Sequence, residues 1–157
     1  MVHNSLPKGG GRYIDSDGKS YNYVIFWTRV INESITPLEL AIKFSADPFT
    51  IFPSPDSYIR IFLPPDTMTL GKVQLGDFGL TNLQPFLDAG FDKPSMLQKT
   101  INPKEEYLFY IPVLFYQARG TTRTALVLKG QDLFFRISIT PGVDSALIPC
   151  GQLVFKN

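Results

Sequence analysis

Residues able to carry chemistry are few in this chain: one histidine, His3, and one cysteine, Cys150, among 157 residues. A Cys-His or Ser-His-Asp nucleophile needs a positioned imidazole as its base. His3 lies in a glycine- and proline-containing stretch without apolar period, so neither arrangement is expected, and histidine-based zinc or iron sites fail for the same reason. A single cysteine excludes an intrachain disulfide and a four-cysteine zinc site. Between Pro149 and Gly151, Cys150 reads as a buried, inert thiol, because reactivity would need a cation to lower its pKa. Glu105 and Glu106 are adjacent, and on a strand they point to opposite faces, so they do not form an acid/base pair. A carboxylate-based hydrolase would have to combine acids from different strands roughly 5–10 Å apart. Most acids instead sit beside Gly, Pro, Ser or Asn, where turn formation explains them. Asp15-Ser16-Asp17-Gly18 has the opening of a calcium loop, but Lys19 takes the third oxygen position and Phe26 the place of the bidentate acid. Gly9-Gly10-Gly11 lacks the spacing and the preceding strand of a phosphate-cradling loop. The expectation is a protein that is not an enzyme and carries no cofactor and no metal.

The aromatic residues are more informative. Tyr21, Tyr23 and Trp27 share one strand face, and Tyr110 and Tyr116 share another, each with a hydroxyl or N–H that seeks water or a partner. Either they form a platform for a sugar or peptide, or they pack under neighbouring elements. Aromatics are favoured in strands in any case, so packing is the preferred reading, and these five are the candidate ligand-binding residues. Asn32-Glu33-Ser34 matches the glycosylation acceptor pattern, yet a turn asparagine accounts for it.

Fifteen basic against fourteen acidic residues give a formal net charge of +1, which supplies no field for nucleic acid or an anionic membrane. With 44% hydrophobic and 18% charged residues the chain is globular, and its length fits one domain. No stretch approaches the roughly 18 uninterrupted apolar residues of a membrane span, so no membrane insertion is expected. The first residues lack the apolar core of a signal peptide. Either the protein stays inside the cell, or a leader has been removed and the protein is periplasmic or extracellular.

The elements that must position these residues are strands. Residues 1–11 read as a mobile tail, with the domain running over 12–157. Gly11-Arg12-Tyr13-Ile14 followed by Asp15-Ser16-Asp17-Gly18 predicts a hairpin with a tight turn into a long strand from Tyr21 to Ile31, apolar on both faces and hence central with cover on each side. Leu38, Leu40, Ile42 and Phe44 alternate with Glu39, Ala41, Lys43 and Ser45, the cleanest period-two signal in the chain. Prolines 48, 53 and 55 make 47–56 an edge piece or loop. Ile59, Ile61 and Leu63 give a strand, and Thr67–Leu75 a further short one. Residues 76–98 break the pattern: Asn82 as cap, Pro85 in the first turn and Gly90 as terminator predict a short helix in an insertion over one end or face of a sheet. Strands resume over Glu105–Tyr116, where Pro112 predicts an edge or a bulge, then, after a turn at Ala118-Arg119-Gly120, over Thr122–Leu128, Leu133–Thr140 and Leu147–Phe155. Some eight to ten short strands, one helix and frequent turns describe an antiparallel sandwich or barrel.

Two phrases carry a resemblance. Val30-Ile31-Asn32-Glu33-Ser34-Ile35-Thr36-Pro37-Leu38-Glu39-Leu40-Ala41-Ile42 is a strand, polar turn and alternating strand, and Ile101-Asn102-Pro103-Lys104-Glu105-Glu106-Tyr107-Leu108-Phe109-Tyr110-Ile111 turns into a strand. Both resemble immunoglobulin-like modules of bacterial surface and periplasmic proteins, in which the second phrase usually carries glycine where Lys104 stands. The resemblance covers about a sixth of the chain. It implies an all-β, antiparallel immunoglobulin-like β-sandwich, here with a short helix-bearing insertion, and an adhesive, scaffolding or ligand-presenting role. The expected function is therefore a non-catalytic binding or structural module acting through loops and sheet edges on a protein partner or glycan. The segments 47–56 and 76–98 are the candidate contact loops. A carbohydrate-binding module using the aromatic face is the alternative, and a carboxylate-based hydrolase the third reading.

Overall fold

The computed structural model describes residues 1–54, 56–118 and 120–156. In chain order the elements are β1 (Val2–Asn4), β2 (Lys8–Ile14), β3 (Ser20–Ile31), β4 (Leu38–Phe44), β5 (Tyr58–Ile61), α1 (Leu83–Gly90), β6 (Ser95–Ile101), β7 (Glu106–Tyr116), β8 (Thr121–Lys129), β9 (Asp132–Thr140) and β10 (Val143–Phe155). All pairings are antiparallel. One sheet has the order β1-β3-β7-β5, with β2 also pairing β3, and the other has the order β6-β4-β10-β9-β8. The molecule is all-β, two sheets facing each other across a shared core.

Period-two alternation decides which residues enter that core. Phe26 and Val30 of β3, Phe109 and Val113 of β7, Leu40 and Phe44 of β4, and Phe135 and Ile137 of β9 are all buried in one cluster. Phe135 is central, with its ring 6.1 Å from Phe26 across the sandwich and 6.0 Å edge-on from Phe44. Each such side chain contributes about 1.5–3 kcal/mol of burial. The opposite parity of β3 and β7 enters a second cluster. There Tyr21, Ile25, Leu108, Tyr110 and Leu114 pack against Phe62, Met68, Phe78, Leu80, Leu83 and Leu87 from the chain between β5 and β6. The first sheet is therefore covered on both faces, as the two-sided apolarity of β3 requires.

Several expectations change. Residues 1–11 are not outside the fold: β1 pairs Val2–Asn4 with Val30–Thr28, and β2 pairs with β3 from Lys8 to Ile14 across a bulge. These strands are held by main-chain bonds and small residues rather than an apolar stripe. At Gly11 a Cβ would fall inside the Tyr23 ring, so the glycine is a packing requirement and not a linker signal. Pro112 lies in the centre of the sheet, opposite Ile25, in an unbroken register. The Phe62 N–H donates to Pro112 O at 3.1 Å, so the main-chain groups of Pro112 face the β5 side. The donor it lacks falls just past the last β5–β7 pair, Ile61 with Val113, where the ladder ends anyway. Thr67–Leu75 makes a single bridge, Thr67 to Phe109, and then a 3₁₀ turn over Leu70–Lys72, because it crosses the outer face of the first sheet instead of extending it. The helix lies at Leu83–Gly90, although Asn82 makes no side-chain cap bond. The excursion that contains it begins at Phe62 and ends before β6, so residues 95–98 belong to a strand. The Asp-Gly hairpin has a five-residue connection, 15–19, in place of a two-residue turn, with Gly18 at φ 82°. The turn expected at Ala118-Arg119-Gly120 includes Arg119, which lies outside the described residues.

Both phrases of the resemblance fall where the chain changes sheet, β3 to β4 and β6 to β7. They meet at Asn32, which is 1% exposed. Its Nδ2 donates to Thr36 O (2.8 Å) and Ile101 O (2.9 Å), and its Oδ1 accepts from Ser34 N–H (3.0 Å) and Ser34 Oγ (2.7 Å). Its main chain joins the second corner, accepting from Lys104 N–H and donating to Glu105 O, each at 2.9 Å. An asparagine so engaged is a structural knot, and its amide is closed to glycosylation in the folded chain. Lys104, at φ 66°, takes the left-handed conformation that glycine adopts without cost. Lys104→Gly is expected to raise stability by about 0.5–1 kcal/mol, read as a higher urea midpoint at unchanged m.

Candidate functional site

The hairpin register places Tyr13 opposite Tyr21, and the β5–β7 register places Tyr58 opposite Tyr116. These rings lie on the outer face of the first sheet, at the end where α1 stops. The β2–β3 turn forms one wall of a hollow of about 440 Å³, and Asp88 to Lys93, the end of α1 and the residues after it, form the other. The floor is Tyr13, Tyr21, Tyr58 and Arg60.

Each floor hydroxyl has a fixed partner. Tyr13 OH donates to Asp88 Oδ1 at 2.8 Å, tying β2 to α1. Tyr21 OH lies 3.3 Å from Asp15 Oδ2 and 3.0 Å from Tyr58 OH. Asp15 is itself locked, because its Oδ1 accepts from the N–H groups of Asp17 and Lys19, both at 2.9 Å. It is the keystone of the turn, and the turn is what aims it at Tyr21. The Arg60 guanidinium stacks on Phe91, 4.6 Å from the ring centroid, and lies 5.8 Å from that of Tyr58. It donates through Nη1 to Ala46 O, while its buried Nε has no acceptor among the described residues. Tyr13 and Tyr21 are 4% and 1% exposed, so little more than their polar ends reaches the hollow.

Burial is also the main cause of the shifts in their ionisation. It pushes the phenols of Tyr13 and Tyr21 well above the ordinary tyrosine value, helped by Asp88 for the first and Tyr58 for the second. Tyr23, Tyr107 and Tyr110 move the same way, and the Cys150 thiol is pushed up to about 12 by burial, consistent with an inert thiol. A raised folded-state pKa gives stability that is complete below the unfolded value and is lost as pH rises toward the folded one. The unfolded values lie near 8.5 for cysteine and 10 for tyrosine. The urea midpoint is therefore expected to hold to about pH 8 and to fall steadily between about pH 9 and 11.

The five aromatics singled out by strand parity are divided by the structure. Tyr21 is in the floor of the hollow, and Tyr116 packs against Tyr21 and stacks on Tyr58 at 5.0 Å. Tyr110, fully buried, donates to Phe78 O at 2.7 Å, and Tyr23 donates to Asp77 Oδ2 at 3.1 Å. Both hold a strained segment in place, since Asp77 and Phe78 have φ of 51° and 53°. Trp27 is half-buried, with its indole nitrogen enclosed. An open aromatic platform is thus not what the fold presents, because the excursion between β5 and β6 lies over it. Tyr13, Tyr58, Arg60, Asp88 and Phe91 were not apparent as site residues. The symmetry of the hairpin about Asp17, which pairs Tyr13 with Tyr21, is the one sequence signal that could have found one of them.

Three of the edge strands, β5, β6 and β8, are guarded. On β8 the Asn4 side chain stands in for a strand, donating to Leu126 O (3.0 Å) and accepting from Leu126 N–H (2.9 Å), while the buried Thr28 hydroxyl donates to the same Asn4 Oδ1 (2.8 Å). On β5, Phe49 exchanges both main-chain bonds with Ile59. On β6, Lys99 has the parity of the core residues and lies 5.3 Å over the Tyr107 ring. A charge of that parity disfavours pairing with another strand. No helix among the described residues is long and apolar enough to cross a membrane. No protein-family model matches the chain, and no curated protein compared with it is a detectable relative.

Proposed function

We propose that this chain is a non-catalytic binding or structural module of immunoglobulin-like build, engaging a protein or glycan partner through the hollow beside α1 and the loops around it. The observation that carries this reading is the hollow itself: three tyrosines, two of them almost fully buried, and an arginine held in fixed orientations at the loop end of a doubly covered sheet. Rigid scaffolds that present loops and preset polar groups are suited to recognition. The guarded edges of β5, β6 and β8 move the contact away from strand addition there and toward this end of the molecule. The immunoglobulin-like kinship is supported by the two sheet-switching corners and by the left-handed backbone at Lys104, where the resembled phrase carries glycine. Of the two loops expected to make contact, 47–56, of which Pro55 lies outside the described residues, covers β5 at Phe49, whereas the excursion carrying α1 supplies a wall of the hollow.

The test is retention of bound material from the cells that make the protein. Immobilised wild-type chain is compared with a rim variant, Asp17→Ala with Asp92→Ala, and with a variant of the opposite face, Arg123→Ala with Arg136→Ala. Material should be lost from the rim variant and kept by the other. Equal retention by all three chains would overturn the assignment of the hollow.

A further inference from the structure

We propose that the hollow beside α1 binds a neutral saccharide, recognised through its hydroxyl groups by the Asp88 and Asp15 carboxylates, the Tyr58 hydroxyl and the Arg60 guanidinium. The inference rests on the hollow being the binding site and specifies its ligand. About 440 Å³ lies within the roughly 300–1,000 Å³ of small-molecule sites. Four acids, Asp15, Asp17, Asp88 and Asp92, and three cations, Lys19, Arg60 and Lys93, line it together. The carboxylates and the C-terminal end of α1 disfavour an anion. A cationic ligand would compete with the molecule's own cation, since Arg60 already occupies the face of Phe91. An apolar ligand would strip water from these charges without replacing it.

A neutral ligand whose groups both donate and accept fits what remains. A sugar hydroxyl donates to a carboxylate lone pair while accepting from a guanidinium or phenol. Asp88 accepts only from Tyr13 among the described residues, through Oδ1, so its Oδ2 keeps its lone pairs. Tyr58 ends the Tyr58–Tyr21–Asp15 chain, and it is half-buried where Tyr21 is closed. The ring faces are engaged with one another, Tyr13 on Phe91 at 5.6 Å and Tyr58 on Tyr116 at 5.0 Å. Recognition therefore runs through polar edges and not through stacking on an open platform.

The test is an amide-shift titration of the full isotope-labelled chain with neutral gluco-, galacto-, manno- and xylo-configured oligosaccharides, and with spermidine as a cationic probe. At least one saccharide should give saturable shifts confined to residues 13–19, 58–60 and 88–93. Tyr58→Phe, which keeps the ring, and Asp88→Asn should each weaken it about tenfold while leaving the remaining spectrum intact. Shifts with spermidine alone, or no saturable shift with any saccharide up to tens of millimolar, would overturn the saccharide assignment. In that case, loss of retained protein from the rim variant would leave the hollow standing as a protein-contact site. Saccharide shifts on the outer faces of β8 and β9 would overturn both.

Discussion

Replacing Asn32 with alanine is expected to destabilise the protein by about 3 kcal/mol. The substitution removes two donors and one acceptor from a site 1% exposed to solvent, depriving the buried Ile101 O of its Asn32 donor and Ser34 N–H of its acceptor, while Thr36 O keeps Ser34 Oγ at 2.9 Å. Each buried polar group left unsatisfied costs roughly 1–3 kcal/mol, and the corner that loses them is where both sheet-switching connections meet. Glu33→Ala, on the exposed neighbour, should change stability by no more than about 0.5 kcal/mol. Urea unfolding followed by tryptophan fluorescence compares the two. A loss below about 1 kcal/mol for Asn32→Ala would mean that the corner holds without its knot.

Asn4→Ala should cost about 2 kcal/mol and act locally. The Asn4 amide satisfies both main-chain groups of Leu126 on an edge strand and accepts the bond of Thr28, whose hydroxyl is otherwise enclosed between the sheets. Losing it unfastens β1 from β8, so exchange of the Leu126 amide should accelerate at least tenfold while β4 and β10 amides follow the global stability alone. Uniform acceleration across both sheets would show that β1 serves overall stability and is not a clasp.

What could be read from the chain follows from which forces are local. The alternation of Leu38 to Phe44, the two apolar faces of Tyr21 to Ile31 and the breakers around Leu83–Gly90 record burial directly, and β4, β3 and α1 lie there. Gly11–Ile14 was legible as the first arm of the hairpin, but β1 and the start of β2 were missed because their pairing uses main-chain bonds, a glycine beneath a tyrosine ring and one amide reaching another strand, none of which leaves a periodic trace. Pro112 misled because a missing donor counts only where the ladder continues, and β5 stops one residue short of it. The hollow was illegible for a different reason. Tyr13, Tyr58 and Asp88 come from three segments whose meeting depends on how the excursion after β5 folds back over the sheet. Tyr21 was found by strand parity, but its partners lie 6 and 37 positions away along the chain.

The most direct test of the account is a hydrogen-exchange footprint of the whole chain with its captured partner bound. Protection should concentrate in Tyr13–Lys19 and Asp88–Lys93, with the outer faces of β8 and β9 unchanged. Protection of Thr121–Lys129 and Asp132–Thr140 instead, with the turn and the end of α1 exchanging as in the free protein, would contradict it.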